Sequence, residues 1–109
     1  QVEEYLRTSE VYTNAALSIK DVADATGISK NNLSKSINVT LGKNFFDLVN
    51  GFRIEKSKAL LMSKKEKGLT LETIAKQCGF NSRITFNNAF KKVIGVTTTE
   101  WLKLNQNEK

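Results

Sequence analysis

The sequence predicts an all-α fold of seven helices, and three observations lead to it. The 109 residues include no proline and only six glycines, so little in the chain interrupts a helix. Val, Ile and Thr do not collect in the alternating runs that form strands. Apolar residues instead recur three or four positions apart, which is the spacing of one buried helix face.

The chain contains an internal repeat that divides it into two similar units. Residues 17–28 match residues 69–80 at an offset of 52, with a hydroxyl residue, an alanine and a final glycine in step. After the glycine the second copy gains one residue, and the match continues at an offset of 53. The apolar pairs in this part are Leu33 with Phe86, Ile37 with Phe90 and Leu41 with Ile94. A repeat of this length indicates that each copy is one supersecondary unit.

Each unit has the residue types expected at the ends of two short helices joined by a tight turn. Serine and threonine side chains accept hydrogen bonds from the free amides of a first helical turn. Glycine takes the positive φ that commonly follows a helix. The predicted caps are Ser18, Ser29, Thr70 and Ser82, and the predicted terminating glycines are Gly27, Gly42, Gly79 and Gly95. The pattern therefore predicts two helix-turn-helix units.

Three further helices complete the prediction. An acidic amphipathic helix spans about residues 2–13, and Thr97 caps a last helix. A long connector at 44–62, which at ~1.5 Å per residue covers roughly 28 Å, carries Phe45, Val49, Phe52, Lys56 and Leu60 at helical spacing. Gly51 lies inside it at a cost of about 1 kcal/mol against alanine, so we expect close packing there. The predicted subdomains are 1–43 and 63–109, on either side of the connector.

Three smaller features have structural interpretations. The segment 63–68 is predicted to be a charged loop, either solvated or close to phosphate. Cys78 precedes the turn glycine in a short helix and is predicted to be a small buried filler. Trp101 is predicted to anchor the last helix.

Charge is distributed unevenly along the chain, whose net charge is +6. Residues 1–28 hold five acidic residues against two basic ones, a net charge of −3. Residues 29–109 hold fifteen basic residues against six acidic ones, a net charge of +9. A basic block after an acidic start suits a phosphate backbone or an anionic lipid surface, and it also suits a solvated lysine-rich surface. Composition alone does not separate these interpretations.

The second helix of each unit has an outward face without acidic residues. Opposite the core stripe, these faces carry Asn31, Ser34, Lys35 and Asn38 in the first unit and Ile84, Asn87, Asn88 and Lys91 in the second, with Arg83 at the start. Side-chain amides pair with adenine edges, and Lys and Arg pair with guanine edges or hold phosphates. Two repeat-related faces of this kind favour helices inserted in DNA grooves. Ile84 either touches a thymine methyl group or packs at the rim of the core.

The second unit resembles the second-half signature of the AraC/XylS family of bacterial regulators. The matching positions are Ala75, Gly79, Phe80, Ser82, Phe86, Phe90, Lys91, Lys92 and Gly95. The first half is similar at Ala23, Gly27, Ile28, Ser29, Gly42, Phe45, Val49, Arg53, Ile54 and Ala59–Leu61. The resemblance covers about residues 10–104. It implies two subdomains joined by a long helix, with recognition helices that enter successive major-groove segments on one face of the duplex.

The resemblance also implies roles for individual residues. It places base contacts on Asn31, Ser34, Lys35, Arg83, Ile84, Asn87 and Asn88, and backbone contacts on Ser29, Lys30, Ser82 and Thr85. Asn38 and Lys91 complete the predicted base-reading set, and Asn32 and Lys92 complete the backbone set. Members of this family normally carry a separate sensing or dimerising region, so we expect the chain to be the output domain of a longer transcription regulator.

Composition excludes several classes of activity. The chain has no histidine and one cysteine, so we expect neither a tetrahedral zinc site nor histidine-based acid–base catalysis. The sequence contains no nucleophile–base pair, phosphate-binding loop or metal cluster, and we expect no enzymatic activity, no cofactor and no metal. The apolar stretches are too short to span a bilayer, and the start lacks a signal-peptide pattern. The lone cysteine fits a reducing compartment, so we expect a cytoplasmic, nucleoid-associated protein.

The expected partner is double-stranded DNA, with RNA polymerase subunits as a second candidate and no small-molecule ligand in this segment. We expect the domain to be monomeric and any dimerisation of the parent chain to use a region outside it. The alternative is a protein-interaction module that contacts the transcription machinery and binds DNA only weakly. That alternative predicts apolar outward faces, and only Ile84 fits it.

Overall fold

In the computed structural model, which describes residues 2–106, the chain consists of helices and short connections, and the described residues contain no strand. Their eight α-helices are α1 (Val2–Ser9), α2 (Ile19–Thr26), α3 (Lys30–Ser36), α4 (Phe45–Met62), α5 (Lys64–Lys67), α6 (Leu71–Gln77), α7 (Arg83–Ile94) and α8 (Thr98–Gln106). A 3₁₀ turn at Val11–Thr13 follows α1, and a π-helical turn at Ile37–Leu41 continues α3. The predicted all-α fold, with two helix-turn-helix units and a long connector, is confirmed.

The first helix, which was expected over 2–13, is shorter than predicted. It ends at Ser9, because Glu10 takes a left-handed conformation with φ 57°. The Ser9 hydroxyl bonds to main-chain groups on both sides of the break, which is how serine competes with helical hydrogen bonding. The 3₁₀ turn then places Tyr12 in the core, where its ring stacks on Phe52 at 5.6 Å.

The segment predicted as a charged loop contains an additional short helix, α5, so the number of α-helices in the described residues is eight and the predicted number of seven is wrong. This single turn, α5, follows Ser63, whose hydroxyl bonds to main-chain carbonyls in the last turn of α4 at 3.2 and 3.3 Å. Gly68 ends the turn with φ 65°, and the Leu69 amide donates to the Lys64 carbonyl at 2.9 Å. Leu69 packs against the second core, so main-chain bonds and one apolar contact order a segment whose composition indicated only charge.

The caps of both units form where the repeat predicts them. Ser18 forms a capping box with Asp21 and accepts its amide at 3.3 Å. Ser29, Thr70 and Ser82 each accept the amide three residues further on, at 3.2, 3.1 and 3.1 Å respectively. The four predicted terminating glycines all have positive φ. The two units therefore begin and end their helices by the same local chemistry.

Helix α4 lies between two hydrophobic cores and contributes to both. Its first half supplies Phe45, Leu48 and Val49 to the first core, and its second half supplies Ile54 and Leu61 to the second. The single stripe predicted from the sequence is therefore incomplete, since a helix that packs on two sides needs apolar residues on both. Its 18 residues give a length of ~27 Å at the usual helical rise. The whole molecule measures 45 × 23 × 23 Å.

The close packing expected at Gly51 is not found. Apart from the adjacent residues and backbone of its own helix, a side-chain carbon placed at Gly51 would meet no atom within 4 Å. The residue lines a groove of about 300 Å³ between α4 and α7, together with Ala89 and Val93. Nothing in the packing of this position requires a glycine.

The second core is built around a chain of aromatic rings. Phe80, Phe86, Phe90 and Trp101 follow one another with centroid separations of 5.5 to 5.9 Å. Trp101 meets Phe90 edge to face and thereby packs α8 on α7, in the anchoring role predicted for it. Cys78 lies in the same core with no exposed surface, as predicted, and burial raises the pKa of its thiol to about 11.

We expect Cys78 to resist alkylation in the folded protein. With a pKa of about 11, about one thiol in a thousand is ionised at pH 8, against about one in four for an ordinary cysteine. Iodoacetamide labelling followed by mass spectrometry should therefore be slower by about two orders of magnitude in the native chain than in urea. The pKa of Cys78 is higher in the folded chain than in the unfolded chain, so burial of the neutral thiol also affects the pH dependence of stability. Its contribution to the free energy of unfolding is fully present below about pH 9 and is lost as the pH rises towards 11. Equal labelling rates would contradict this burial.

Candidate nucleic-acid interface

The outward face of α3 and its π-helical extension is exposed to solvent. The core side of this segment is fixed by Leu33 and Ile37, which are each 1% exposed. Because these two residues set the rotation of the segment, the opposite stripe must face away from the first core. The residues predicted to read bases here are all exposed, and they are Asn31, Ser34, Lys35 and Asn38. None of them is acidic, and no ion pair with an acidic residue occupies Lys35 within the described chain.

The corresponding face of α7 is exposed as well. Phe86 and Phe90, with no exposed surface, set the rotation of this helix. The exposed residues on its outward side are Arg83, Ile84, Asn88 and Lys91. Ile84 is 73% exposed, so it does not pack at the rim of the core, and its contact with a thymine methyl group stays a prediction.

Asn87 is the one predicted base-reading residue that is half-buried. Its Oδ1 atom is buried, and in the described part of the chain it has no hydrogen-bond partner. A buried carbonyl oxygen without a partner costs about 1–3 kcal/mol. An adenine edge offers both a donor and an acceptor, so rotation of this amide towards a base would satisfy the group.

Five of the six residues predicted to contact the DNA backbone lie at the amino termini of α3 and α7, and the sixth, Lys92, lies in the last turn of α7. Ser29 accepts the Asn32 amide, which occupies an oxygen lone pair and leaves the hydroxyl hydrogen to donate. In the second unit the hydroxyls of Ser82 and Thr85 lie 3.0 Å apart, so one hydrogen is shared between them and one remains. The first amides of each helix have no partner inside the helix and point outwards. Phosphate oxygens are the acceptors that such a terminus attracts.

Lys92 is the predicted backbone contact with a partner of its own. Its Nζ lies 3.3 Å from Oδ1 of Asp47, which belongs to the first turn of α4. The Lys92 side chain is nevertheless 74% exposed, so the ion pair is weak and open to exchange. The contact with Asp47 uses one of the three ammonium hydrogens, so the others stay available for a phosphate. Lys30, the other predicted basic contact, is exposed at the start of α3.

Arg53 lies between the two units, and the sequence pattern indicates no specific role for it. This residue is 8% exposed, and burial lowers the pKa of its guanidinium. The sequence feature that could have indicated this buried position is a charged residue in the middle of the connector, among apolar positions that pack into the two cores. Three hydrogen bonds hold it in place, and two of them connect α4 to the segment around the 3₁₀ turn.

Other kinds of site are absent from residues 2–106. No group of three or more His, Cys, Asp or Glu side chains lies close enough together to hold a metal ion. None of the helices in this range combines the length and apolarity needed to cross a bilayer. Within this range, the exposed polar faces of α3 and α7 are the surface whose side chains suit binding to DNA.

Comparison with known proteins agrees with the helix-turn-helix architecture and with a DNA-binding surface. A family described as helix-turn-helix domain matches residues 22–104. The xylose operon regulatory protein of Escherichia coli K12 is 30% identical over 89 residues, which are 82% of this chain and 22% of that protein. An AraC-like transcription regulator of Streptomyces lividans is 28% identical over 78% of this chain and 27% of its own length. The chain spans less than a third of each of these relatives.

Solved structures have the same fold. The C-terminal domain of AraT, a response regulator from Geobacillus stearothermophilus, superposes with a TM-score of 0.79 at 28% identity, covering 94% of this chain and 81% of that one. The C-terminal domain of the response regulator yesN from Fusobacterium nucleatum gives a TM-score of 0.76 at 26% identity, covering 93% of both chains. The chain therefore belongs to the AraC-type helix-turn-helix family and is a DNA-binding domain of transcription regulation.

Proposed function

We propose that both helix-turn-helix units read DNA at the same time, each with its second helix in one of two adjacent major-groove segments. The observation that carries this proposal is the pair of exposed, acid-free faces on α3 and α7, which a single helix joins. An arrangement for one groove segment would need only one such face. The alternative of a protein-interaction module predicts apolar outward faces, and these faces are mainly polar.

The dimensions of the connector are compatible with two adjacent groove segments. Its 18 residues span ~27 Å, and successive major-groove segments on one side of B-DNA are ~34 Å apart. Tilt of the recognition helices or a bend in the DNA would absorb the difference, and such a bend costs on the order of 1–6 kcal/mol. One copy of the domain, as a monomer, is then sufficient for the whole site.

The two faces differ in chemistry, so the site is not palindromic. In the first unit Asn31, Ser34, Lys35 and Asn38 read the bases, and in the second unit Arg83, Ile84, Asn87, Asn88 and Lys91 do so. Arg and Lys suit guanine, Asn suits adenine, and Ile84 suits a thymine methyl group. Ser29, Lys30, Asn32, Ser82, Thr85 and Lys92 hold the phosphates on either side. Each half-element therefore has its own sequence.

This chain would form the output end of a longer cytoplasmic regulator. Within the chain, the two subdomains are residues 1–43 and 63–109, and the connector is 44–62. Relatives several times its length, including one described as a regulator of a xylose operon, support this arrangement. Signal sensing and any dimerisation would then lie in the rest of the parent protein.

Replacement of a base-reading side chain should weaken binding and relax specificity in one half-element. The cognate site is first selected from a random DNA pool with the wild-type domain. Arg83→Ala should then lose about 1–3 kcal/mol of binding free energy if the arginine contacts a guanine with two hydrogen bonds. Lys35→Ala should relax the preference only in the other half-element. Lys103→Ala, on the exposed side of α8, is the matched control and should preserve both preferences.

Affinity and sequence preference that both stay unchanged in Arg83→Ala would remove that residue from the interface. Relaxed preference in both half-elements at once would contradict the division of the site between the two units.

Binding should depend strongly on salt concentration. With about six phosphates contacted, the slope of log K against log salt should be roughly −5. Lys30→Ala should make the slope less negative by about one, because one released counterion fewer accompanies binding. Fluorescence anisotropy at several KCl concentrations measures both slopes, and Lys103→Ala serves again as the control. A wild-type slope near zero would mean that the basic residues act only as a solvated surface.

A further inference from the structure

Arg53 is a buried charge at the place where the two units meet. It lies in the middle of α4, where its Nε donates to the Tyr12 carbonyl at 2.6 Å. One terminal nitrogen donates to the Asn14 carbonyl at 3.1 Å, and the other donates to Oδ1 of Asn50 at 3.0 Å. Three of the five guanidinium hydrogens are thus engaged, two of them with main-chain carbonyls of the first unit.

The second unit packs against the same group. The guanidinium carbon of Arg53 lies 5.7 Å from the centroid of the Phe80 ring. Gly79, with φ 103°, approaches the first unit so closely that a side-chain carbon would collide with the Tyr12 carbonyl oxygen. The same carbon would lie 2.9 Å from Nε of Arg53. We call this assembly the clasp, and it consists of Tyr12, Asn14, Asn50, Arg53, Gly79 and Phe80.

The clasp lies directly before a recognition helix. Phe80 is followed within two residues by Ser82, the N-cap of α7. A shift of Gly79 and Phe80 relative to the first unit would therefore move the start of α7 and its reading face. On the first-unit side, Glu10 and Lys56 form an additional ion pair at 3.7 Å between the segment before the 3₁₀ turn and α4.

Directional bonds define one relative placement better than apolar contacts do. Hydrophobic packing has no preferred direction, so it tolerates small sliding of one surface over another. A buried guanidinium is stable only while its donors stay paired, and its planar fork accepts few geometries. The clasp thus penalises any movement that separates the first unit from Arg53 or Phe80.

We infer that Arg53 is a positioning residue that sets the separation of the two recognition helices, and thereby the number of base pairs required between the half-elements. This inference rests on the proposed function, because spacing has a meaning only if both units bind one site. Arg53 acts through the placement of α7, whereas base contacts belong to the outward faces. Its loss should change which spacings are accepted, in addition to any change in affinity.

The experiment measures affinity for the selected site and for versions in which the half-elements lie one base pair closer or further apart. One base pair changes the separation by ~3.4 Å and the relative rotation by about 35°. For the wild-type domain, each altered spacing should weaken binding by about tenfold or more. In Arg53→Lys the charge is kept, but one ammonium group cannot reach all three acceptors. We expect the difference between spacings to fall to about threefold or less.

Asn50→Ala is the second variant, which removes one acceptor from a half-buried position on α4 and substitutes a good helix former. It should also reduce the difference in affinity between the spacings. Circular dichroism shows whether each variant folds, and Asn50→Ala provides the test if Arg53→Lys does not fold. Lys58→Met is the matched control. Lys58 lies on the same helix and pairs with Glu55 at 3.1 Å, so its loss removes a connector charge without touching the clasp. The control should keep the wild-type profile.

The outcomes separate this inference from the proposed function. A wild-type domain that binds all spacings equally would contradict the two-unit proposal itself. A sharp wild-type profile that stays equally sharp in the folded clasp variants, even at lower affinity, would overturn the positioning role of Arg53 and leave the two-unit proposal intact. A profile that flattens in the clasp variants and stays sharp in Lys58→Met supports the inference.

Discussion

A single helix supplies part of the hydrophobic core of both units, and the rest of the structure depends on this shared element. Phe45, Leu48 and Val49 belong to one core, while Ile54 and Leu61 belong to the other. The two cores are thus neighbours along one rigid rod, whose rise per residue sets their distance. Around the same rod, Arg53 adds directional bonds where apolar packing alone would leave the relative rotation of the units less defined.

The reading faces follow from the cores. In each unit the second helix turns its apolar stripe towards the core. The polar stripe lies on the opposite face of the same helix and is therefore exposed to solvent. Leu33 and Ile37 do this for the first unit, and Phe86 and Phe90 for the second. Specificity can therefore vary through the outward residues while stability is kept by the inward ones. The exposure of Ile84, which packing does not explain, is consistent with this separation of roles.

Local chemistry was predictable from the sequence because the repeat displayed it twice. The caps at Ser18, Ser29, Thr70 and Ser82 depend on main-chain amides close by, and all of them form as expected. The connector's second apolar stripe was missed because a helix between two cores has a weak amphipathic pattern. The break at Glu10 was missed because local bonds of the Ser9 hydroxyl interrupt a helix whose apolar spacing continues. The clasp at Arg53 depends on contacts between residues far apart in the chain, which one sequence does not reveal. The base-reading set remains a prediction from exposure and resemblance.

Footprinting of the isolated domain on an intact site and on a split site tests the two-unit reading of DNA most directly. In the split site, five base pairs are inserted between the half-elements, which turns one of them to the opposite side of the duplex. We expect protection of two adjacent major-groove segments on the intact site, and protection of one half-element at reduced affinity on the split site. A footprint confined to one groove segment of the intact site, or equal protection and affinity on both sites, would contradict simultaneous reading by α3 and α7.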